Sequence, residues 1–187
     1  MTITRRVAIT AFAMAAFIPS AFAANAPQVK VDTNMGSFVL ELNAKAAPKT
    51  VANFLSYVKS GFYKNTLFHR VIPNFMIQGG GFTTGMEEKD TRAAIALESR
   101  NGLSNKRGTI AMARTSDPNS ATSQFFINVR DNHFLDAAQS QDGHGYAVFG
   151  RVISGMNTVD AIARVKTHSV GYYDDVPIRD VIIKNMS

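Results

Sequence analysis

The spacing of apolar residues changes along the chain, and each change predicts a different element. From Gln28 to Asn43, apolar and polar residues alternate on both sides of Thr33-Asn34-Met35-Gly36. This pattern predicts two strands joined by a tight turn. From Pro48 to Ser60, apolar residues recur at intervals of three and four, with Pro48 in the first turn and Gly61 in position for the carboxyl-terminal cap. A helix is predicted there.

Short β-type segments follow, separated by polar loops that contain glycine. Met156, Val159 and Ile162 then recur at helical spacing and predict a second helix. The later strands are predicted at 67–71, 75–79, 109–113, 124–129, 147–153 and 179–185. With the first hairpin this makes eight strands and two helices. Eight short strands in sequential order favour a closed, mainly β barrel, because closure removes exposed strand edges. An open sandwich is the alternative.

The first 23 residues differ from the rest of the chain. Arg5 and Arg6 precede an uncharged run from Val7 to Ile18, and a small-residue signature ends at Ala23. This order is typical of a cleavable signal peptide, and the apolar run is too short for a membrane span. We expect cleavage after Ala23, a single domain over residues 24–187 and export to the periplasm.

Composition excludes several classes of function. Removal of Arg5 and Arg6 lowers the net charge from +6 to +4, and no block of basic residues marks a nucleic-acid surface. The chain has no cysteine, which excludes disulfides and thiolate chemistry. No stripe of apolar residues indicates an interface, so we expect a monomer with no membrane span after cleavage.

The segment FHRVIPNFMIQGGGF, residues 68–82, places a cation and an amide within an apolar run. Strand alternation puts Met76 and Gln78 on one face and Ile77 on the other. A turn at 73–74 would return Arg70 to the face that carries Gln78. The alternative is an ordinary surface arginine paired with a carboxylate.

The remaining residues do not indicate a metal site, a catalytic triad or a phosphate-binding loop. The four histidines show no metal-ligand spacing, and a triad of Ser104 or Ser123 with His69 lacks a nucleophile-elbow sequence. Gly79-Gly80-Gly81 lacks the lysine and helix of a phosphate loop, and these glycines indicate a bend or a close backbone approach. We therefore expect a function that needs no metal, cofactor or covalent intermediate.

Five motifs together resemble the cyclophilins, closest to the exported bacterial members. They are FHRVIPNFMIQGGGF, GTIAMAR, SATSQFFI, FLD and YAVFGRV, and their order and spacing match over residues 28–185. The resemblance implies an eight-stranded antiparallel barrel capped by two helices. It also implies peptidyl-prolyl cis-trans isomerase activity on proline-containing polypeptides during the folding of exported proteins. The alternative is a periplasmic peptide-binding chaperone with little isomerase activity.

The resemblance also assigns site residues. Arg70 matches the catalytic arginine, and Gln78 matches the glutamine that helps hold the substrate and the arginine. At Ala113 and Arg114 the family's groove backbone pairs with the substrate chain. Many eukaryotic members have asparagine in place of Arg114, so the role of the Arg114 side chain stays open while the backbone role is kept. The remaining matches form the proline pocket and groove: Phe75, Met76, Gln124, Phe126, Phe134, Leu135 and Tyr146.

Two more of these positions depart from many eukaryotic members. Phe134 stands where they have a tryptophan associated with cyclosporin binding, so we expect weak binding of that drug. Tyr146 stands where they often have a histidine, and because bacterial relatives often have tyrosine there, we expect catalysis to persist.

Overall fold

The computed structural model describes residues 26–187. The predicted signal peptide, residues 1–23, and its cleavage site lie outside the described residues. Within the described part of the chain there are two α-helices, α1 (Pro48–Lys59) and α2 (Met156–Ile162), and a 3-10 helix at His133–Leu135. The strands are β1 (Gln28–Thr33), β2 (Gly36–Leu42), β3 (Thr66–Leu67), β4 (Arg70–Ile72), β5 (Met76–Gly79), β6 (Phe82–Thr83), β7 (Glu87–Glu88), β8 (Thr109–Met112), β9 (Phe125–Asn128), β10 (Val148–Ser154), β11 (Thr167–Val170), β12 (Tyr173–Pro177) and β13 (Ile182–Met186).

Nine of these strands form one antiparallel sheet that curls round on itself. Its order is β3-β13-β1-β2-β10-β8-β9-β5-β4, so the two edge strands, β3 and β4, are consecutive in the chain. The sequence predicts one strand at 67–71, but the chain bends at Phe68 and His69 and divides it in two. Counted as one bent strand, β3 and β4 give the eight predicted strands. The predicted mainly β, barrel-like fold is confirmed, with its edges joined by the chain itself.

Helix α1 forms where its apolar spacing predicts it. Gly61, just after the helix, has a φ of +68°, and its N–H donates to the carbonyl of Val58 at 3.0 Å. This is the left-handed cap that favours glycine. At the other end, the Glu98 carboxylate accepts from the backbone N–H groups of Lys49 and Thr50 at 3.2 and 2.9 Å. Glu98 thus satisfies helix donors that the helix itself leaves unpaired.

The apolar side chains form two separate clusters on the two faces of the sheet. The large cluster fills the inside of the curl, and Phe54 of α1 enters it with its ring centroid 5.2 Å from that of Phe149. A small cluster lies on the other face and contains Met76, Phe126 and Val148. Because the large cluster already fills the interior, a ligand site has room only on the outer face or in the loops.

Two short β-ribbons complete the structure, and the sequence does not predict them. One pairs β6 with β7, and the other, a hairpin, pairs β11 with β12. Tyr173 of β12 packs edge-on against Phe82 at 5.2 Å, and Phe82 in turn packs against His69 at 4.6 Å. This stack fixes the β11–β12 hairpin beside β4. Neither helix within residues 26–187 is long and apolar enough to cross a membrane.

Candidate active site

The hairpin of β4 and β5 brings Arg70 and Gln78 together. Arg70 is directly opposite Gln78 in the register, and Ile72 is opposite Met76. Asn74 turns the chain with a φ of +56°, and the Phe75 N–H donates to the Ile72 carbonyl at 3.2 Å. Alternation and a tight turn therefore place Arg70 and Gln78 on the same outer face, as the sequence predicts.

A cavity of about 210 Å³ opens on this face. All the residues that line it belong to the set assigned by resemblance: Arg70, Phe75, Met76, Gln78, Ala113, Arg114, Phe126, Leu135 and Tyr146. They come from β4, the turn that follows it, β5, the segment just after β8, β9, the 3-10 helix and the loop before β10. The structure thus gathers residues from across half the chain around one small pocket.

The other two predicted residues adjoin the cavity. Gln124 accepts a hydrogen bond from the Gln78 amide, Nε2 to Oε1, at 3.0 Å. Phe134 stacks on Phe75 with ring centroids 5.7 Å apart, and 51% of Phe134 is exposed. Gln124 therefore extends the polar edge of the pocket, and Phe134 extends its apolar edge towards solvent.

The floor of the pocket is apolar and rigidly packed. Met76 and Phe126 are 2% and 4% exposed, and both belong to the small cluster on the outer face. Tyr146 packs edge-on against Phe126 at 5.6 Å. Such a floor offers a preformed slot for a small, compact apolar group.

On the polar rim of the pocket, Arg70 forms only a long ion pair with a carboxylate. Arg70 is 44% exposed in its side chain, and its Nε lies 3.8 Å from Oδ2 of Asp175. The hydrogen bond of the Gln78 amide goes to Gln124 and not to Arg70. The link between glutamine and arginine that the resemblance implies is therefore not made. Asp175 occupies that side of the arginine instead.

Arg114 lines the cavity but directs its charge away from it. Its side chain is 3% exposed, and it donates from Nε to the Gly145 carbonyl at 2.9 Å and from Nη2 to the Asp142 carboxylate. Its guanidinium carbon lies 4.7 Å from the centre of the Tyr146 ring. Ala113 uses its backbone N–H in a bond to the Gln124 carbonyl at 3.0 Å.

His69 is adjacent to Arg70 in the chain but plays another part. It is buried, and burial lowers its pKa to about 4, with the neighbouring positive charge of Arg70 acting in the same direction. It is therefore neutral at ordinary pH. Its ring packs against Phe82, behind the strand, so His69 supports β4 and does not line the pocket.

A second polar cluster resembles a catalytic triad in composition only. Ser104 Oγ contacts His133 Nδ1 at 2.9 Å and donates to Asp136, and the same Nδ1 lies 3.2 Å from Asp136. A proton relay needs serine and aspartate on different ring nitrogens. Asp136 instead accepts from the Asn105 backbone N–H at 2.7 Å, so this cluster holds a loop.

Within residues 26–187, no three histidine, aspartate or glutamate side chains lie close enough together to hold a metal ion.

A larger cavity of about 770 Å³ lies between the end of β2, β10 and the loop at 102–109. It shares no residue with the predicted set, and its charged side chains include the ion-paired Arg151 and Glu41. Size alone therefore does not identify the functional pocket here.

Sequence reasoning missed two carboxylates that pair with arginines of the pocket but do not line it themselves. Asp142 binds Arg114, and Asp175 lies beside Arg70. Neither belongs to one of the recognised motifs: Asp142 lies in the loop before β10 and Asp175 in strand β12, both far along the chain from the arginines they meet. No local pattern could have indicated these pairs.

Comparison with known proteins gives one family. Residues 28–187 match the family model described as cyclophilin type peptidyl-prolyl cis-trans isomerase/CLD. A peptidyl-prolyl cis-trans isomerase of Acinetobacter baylyi is 54% identical over 96% of this chain and 93% of its own length. Peptidyl-prolyl cis-trans isomerase B of Escherichia coli is 53% identical over 85% of this chain and 98% of its own length.

A solved structure agrees with these sequence matches. The cyclophilin-type isomerase of Cryptosporidium parvum, crystallised in the presence of the dipeptide Ala-Pro, superposes with a TM-score of 0.69 at 30% identity. The match covers 86% of this chain and 97% of that one. The chain therefore belongs to the cyclophilin-type peptidyl-prolyl cis-trans isomerases, a family of enzymes.

Proposed function

We propose that this chain accelerates rotation about X–Pro peptide bonds in exported proteins as they fold. The observation that carries the proposal is the convergence of Arg70 with an apolar slot lined only by residues of the predicted set. Proline-containing extended chains are the substrate class, and the dipeptide in the Cryptosporidium parvum crystals supports that class.

The chemistry of the reaction explains why one arginine is enough. Rotation about a peptide bond has a barrier of about 18 to 20 kcal/mol, because the nitrogen lone pair is delocalised into the carbonyl. At proline the two planar forms are close in free energy, and they interconvert in tens to hundreds of seconds. The twisted form localises the lone pair on nitrogen, where it can accept a hydrogen bond. An enzyme needs only to stabilise that form over the planar ones.

Arg70 is suited to donate that bond. A guanidinium stays protonated and offers several donors in a fixed plane, so no proton transfer is required. Its ion pair with Asp175 is made through Nε, and Arg70 lines the cavity, so the terminal nitrogens would donate to the substrate. Met76 and Phe126 would hold the ring of the proline while the preceding amide turns. Gln78, held by Gln124, would position the peptide chain.

The cellular location is part of the proposal. The charged start, short apolar run and small-residue signature of residues 1–23 support export with cleavage after Ala23. A fusion of residues 1–30 to a reporter enzyme that is active only after export tests this directly. Replacement of Arg5 and Arg6 by glutamate should retain the reporter inside the cell, and unchanged export would contradict the assignment.

The enzymatic proposal is tested by Arg70→Ala. Loss of a preorganised donor costs about 2.7 to 4 kcal/mol of transition-state stabilisation. The rate of catalysed cis-trans exchange at the X–Pro bond should therefore fall by roughly 10²- to 10³-fold. NMR measures the cis-trans exchange rate of a proline-containing tetrapeptide, and thermal unfolding shows whether the variant is folded. Because the Arg70 side chain is half-exposed, the variant should fold. Near-normal exchange in the folded variant would refute the role of Arg70.

The chaperone alternative predicts a different pair of results. A protein that only holds peptides would suppress aggregation of a client that has no proline and would not accelerate exchange. The charged rim at Arg70 favours the isomerase, since a site that only binds apolar segments gains nothing from a half-exposed cation there.

A further inference from the structure

Arg114 carries a buried positive charge. Among the ion pairs of the described residues, the other lysine and arginine side chains are 44% to 67% exposed, whereas that of Arg114 is 3% exposed. Burial of a charge is costly unless its donors are satisfied. All three nitrogens of the group are used: Nε donates to the Gly145 carbonyl and Nη1 to the Thr115 carbonyl, each at 2.9 Å, and Nη2 donates to Asp142.

Asp142 is in turn held by hydrogen bonds from its own loop. Its Oδ1 accepts from the backbone N–H groups of His144 and Gly145 at 2.9 and 3.2 Å and from the Ser140 hydroxyl at 3.0 Å. The Arg114 guanidinium, with those backbone donors, keeps the pKa of Asp142 well below its ordinary value. Gly145 has a φ of +63°, and an added Cβ would lie 2.5 Å from the Ala137 nitrogen. The loop therefore has little freedom to adopt another shape.

This loop ends in the wall of the proline pocket. Tyr146 follows Gly145 directly, lies under the Arg114 guanidinium, and packs edge-on against Phe126. The Tyr146 N–H donates to the Leu135 carbonyl at 3.0 Å, which ties the 3-10 helix to the same loop. Tyr146, Leu135 and Phe126 all line the cavity. Within this wall, Tyr146 contacts Arg114 directly, and Leu135 is joined to Tyr146 through the backbone hydrogen bond.

We propose that Arg114 and Asp142 form a positioning pair that sets the width of the proline pocket, and that the Arg114 charge is not offered to the substrate. The inference rests on the proposed isomerase function and deepens it. With Arg114 held by three acceptors and covered by Tyr146, loss of Asp142 would release one end of the guanidinium. The loop and the pocket wall would then loosen together.

Asp142→Asn is the sharpest test. The Asp142 side chain is 41% exposed and does not line the pocket, and asparagine has the same shape. The dissociation constant of a proline tetrapeptide should rise by roughly tenfold, the factor for one lost hydrogen bond to a charged group. The exchange rate of bound peptide should stay within about twofold, because Arg70 is untouched. NMR line shapes give both quantities. Unchanged affinity would overturn the proposal.

The matched control is Asp160→Asn. Asp160 and Arg107 form a two-point ion pair at 2.9 and 2.8 Å, and neither residue lines the pocket. This variant should leave the dissociation constant unchanged. If it weakens binding as much as Asp142→Asn does, the effect is general destabilisation and the positioning role is wrong. A failure of the isomerase proposal looks different, since wild-type protein would then show no catalysed exchange.

Arg114→Lys and Arg114→Gln extend the test if Asp142→Asn does not fold. Lysine keeps the charge but lacks the planar fork, so binding should weaken as it does in Asp142→Asn. Peptides with Glu, Ala or Lys before proline then test the charge itself. A preference of the wild-type protein for Glu that disappears in Arg114→Gln would overturn the proposal, because the guanidinium would then be a substrate ligand. Wild-type affinity for Arg114→Lys would overturn it equally.

Discussion

The Nε of Arg70 lies 3.8 Å from the Oδ2 of Asp175. Asp175 belongs to the β11–β12 hairpin and has a φ of +62°, a left-handed conformation that costs free energy in a residue other than glycine. The surrounding stack of Tyr173, Phe82 and His69 holds the hairpin in that place. The contact combines the two interpretations of Arg70 drawn from sequence, since the arginine both pairs with a carboxylate and stands on the pocket rim.

Asp175→Asn should reduce catalysed exchange without unfolding the protein. Asparagine tolerates the left-handed conformation and has the same shape, so only the charge is lost. An exposed ion pair contributes about 0.2 to 1 kcal/mol, so we expect a fall of up to about fivefold, from poorer orientation of Arg70. Between about 10 mM and about 1 M salt, the rate of catalysed exchange should change in the wild type and should change much less in Asp175→Asn.

The control for that experiment is Glu41→Gln, which removes the exposed pair between Arg151 and Glu41 at 2.9 Å. Its exchange rate should equal that of the wild type at every salt concentration. Equal salt dependence in wild type and Asp175→Asn would show that the pair has no part in orienting Arg70.

Gly81→Ala should impair the site through Gln124. An added Cβ at Gly81 would lie 2.6 Å from Cγ of Gln124, so the Gln124 side chain, which accepts the hydrogen bond of Gln78, must shift. Overpacking of this kind costs about 1 to 3 kcal/mol of stability, and we expect peptide binding to weaken with it. Chemical denaturation and peptide titration measure the two effects.

A double variant isolates the cause. Combined with Gln124→Ala, the Gly81→Ala substitution should cost much less stability than it does alone, because the colliding side chain is gone. Additive losses would mean that Gly81 acts on the backbone and not on Gln124.

Stability should fall in mild acid because of His69. Burial lowers its pKa to about 4, against an ordinary value of 6.5. Between these values the unfolded chain binds more protons than the folded one, so the free energy of unfolding decreases as pH falls through that window. The loss is at most about 3 kcal/mol. The pKa of Asp136 is lowered from 3.8 in the folded protein. Its ionised form therefore stabilises the fold, and that stabilisation is lost as the pH falls below 3.8, which is below the window of His69.

Urea unfolding between about pH 7 and about pH 4.5 tests this, with His69→Phe as the variant. The slope of stability against pH should be smaller in His69→Phe. The exposed His168 provides the control, and His168→Gln should keep the wild-type slope. If the slope of His69→Phe matches that of the wild type, the acid sensitivity arises elsewhere.

Phe134→Trp should strengthen binding of cyclosporin. Phe134 is half-exposed and stacks on Phe75, so an indole fits there without repacking the core. The indole N–H adds a donor worth about 0.5 to 1.5 kcal/mol, or up to roughly tenfold in affinity. Calorimetry compares the two proteins. The chain has no tryptophan of its own, so the introduced residue also reports binding by fluorescence. Equal affinities would show that this position does not limit cyclosporin binding.

Much of the fold follows from local patterns. Alternation places Ile77 and Met76 on opposite faces, because side chains of a strand point to the two faces in turn. In the structure Ile77 belongs to the large cluster and Met76 to the small one. The helical spacing and Gly61 predict α1 to within one residue. The motif residues of the pocket could also be named from sequence, since the resemblance covers all of them.

The tertiary structure alone decided what surrounds the two arginines. Asp142 meets Arg114 from a loop, and Asp175 meets Arg70 from strand β12. Both positions depend on packing between segments that are distant in the chain. The bend at Phe68 and His69, which divides one predicted strand, likewise depends on the closing of the sheet. Residue spacing reports on neighbours along one element, so the sequence by itself determined which side chains share a face. It did not determine which charges meet across the fold, because that depends on the path of the whole chain.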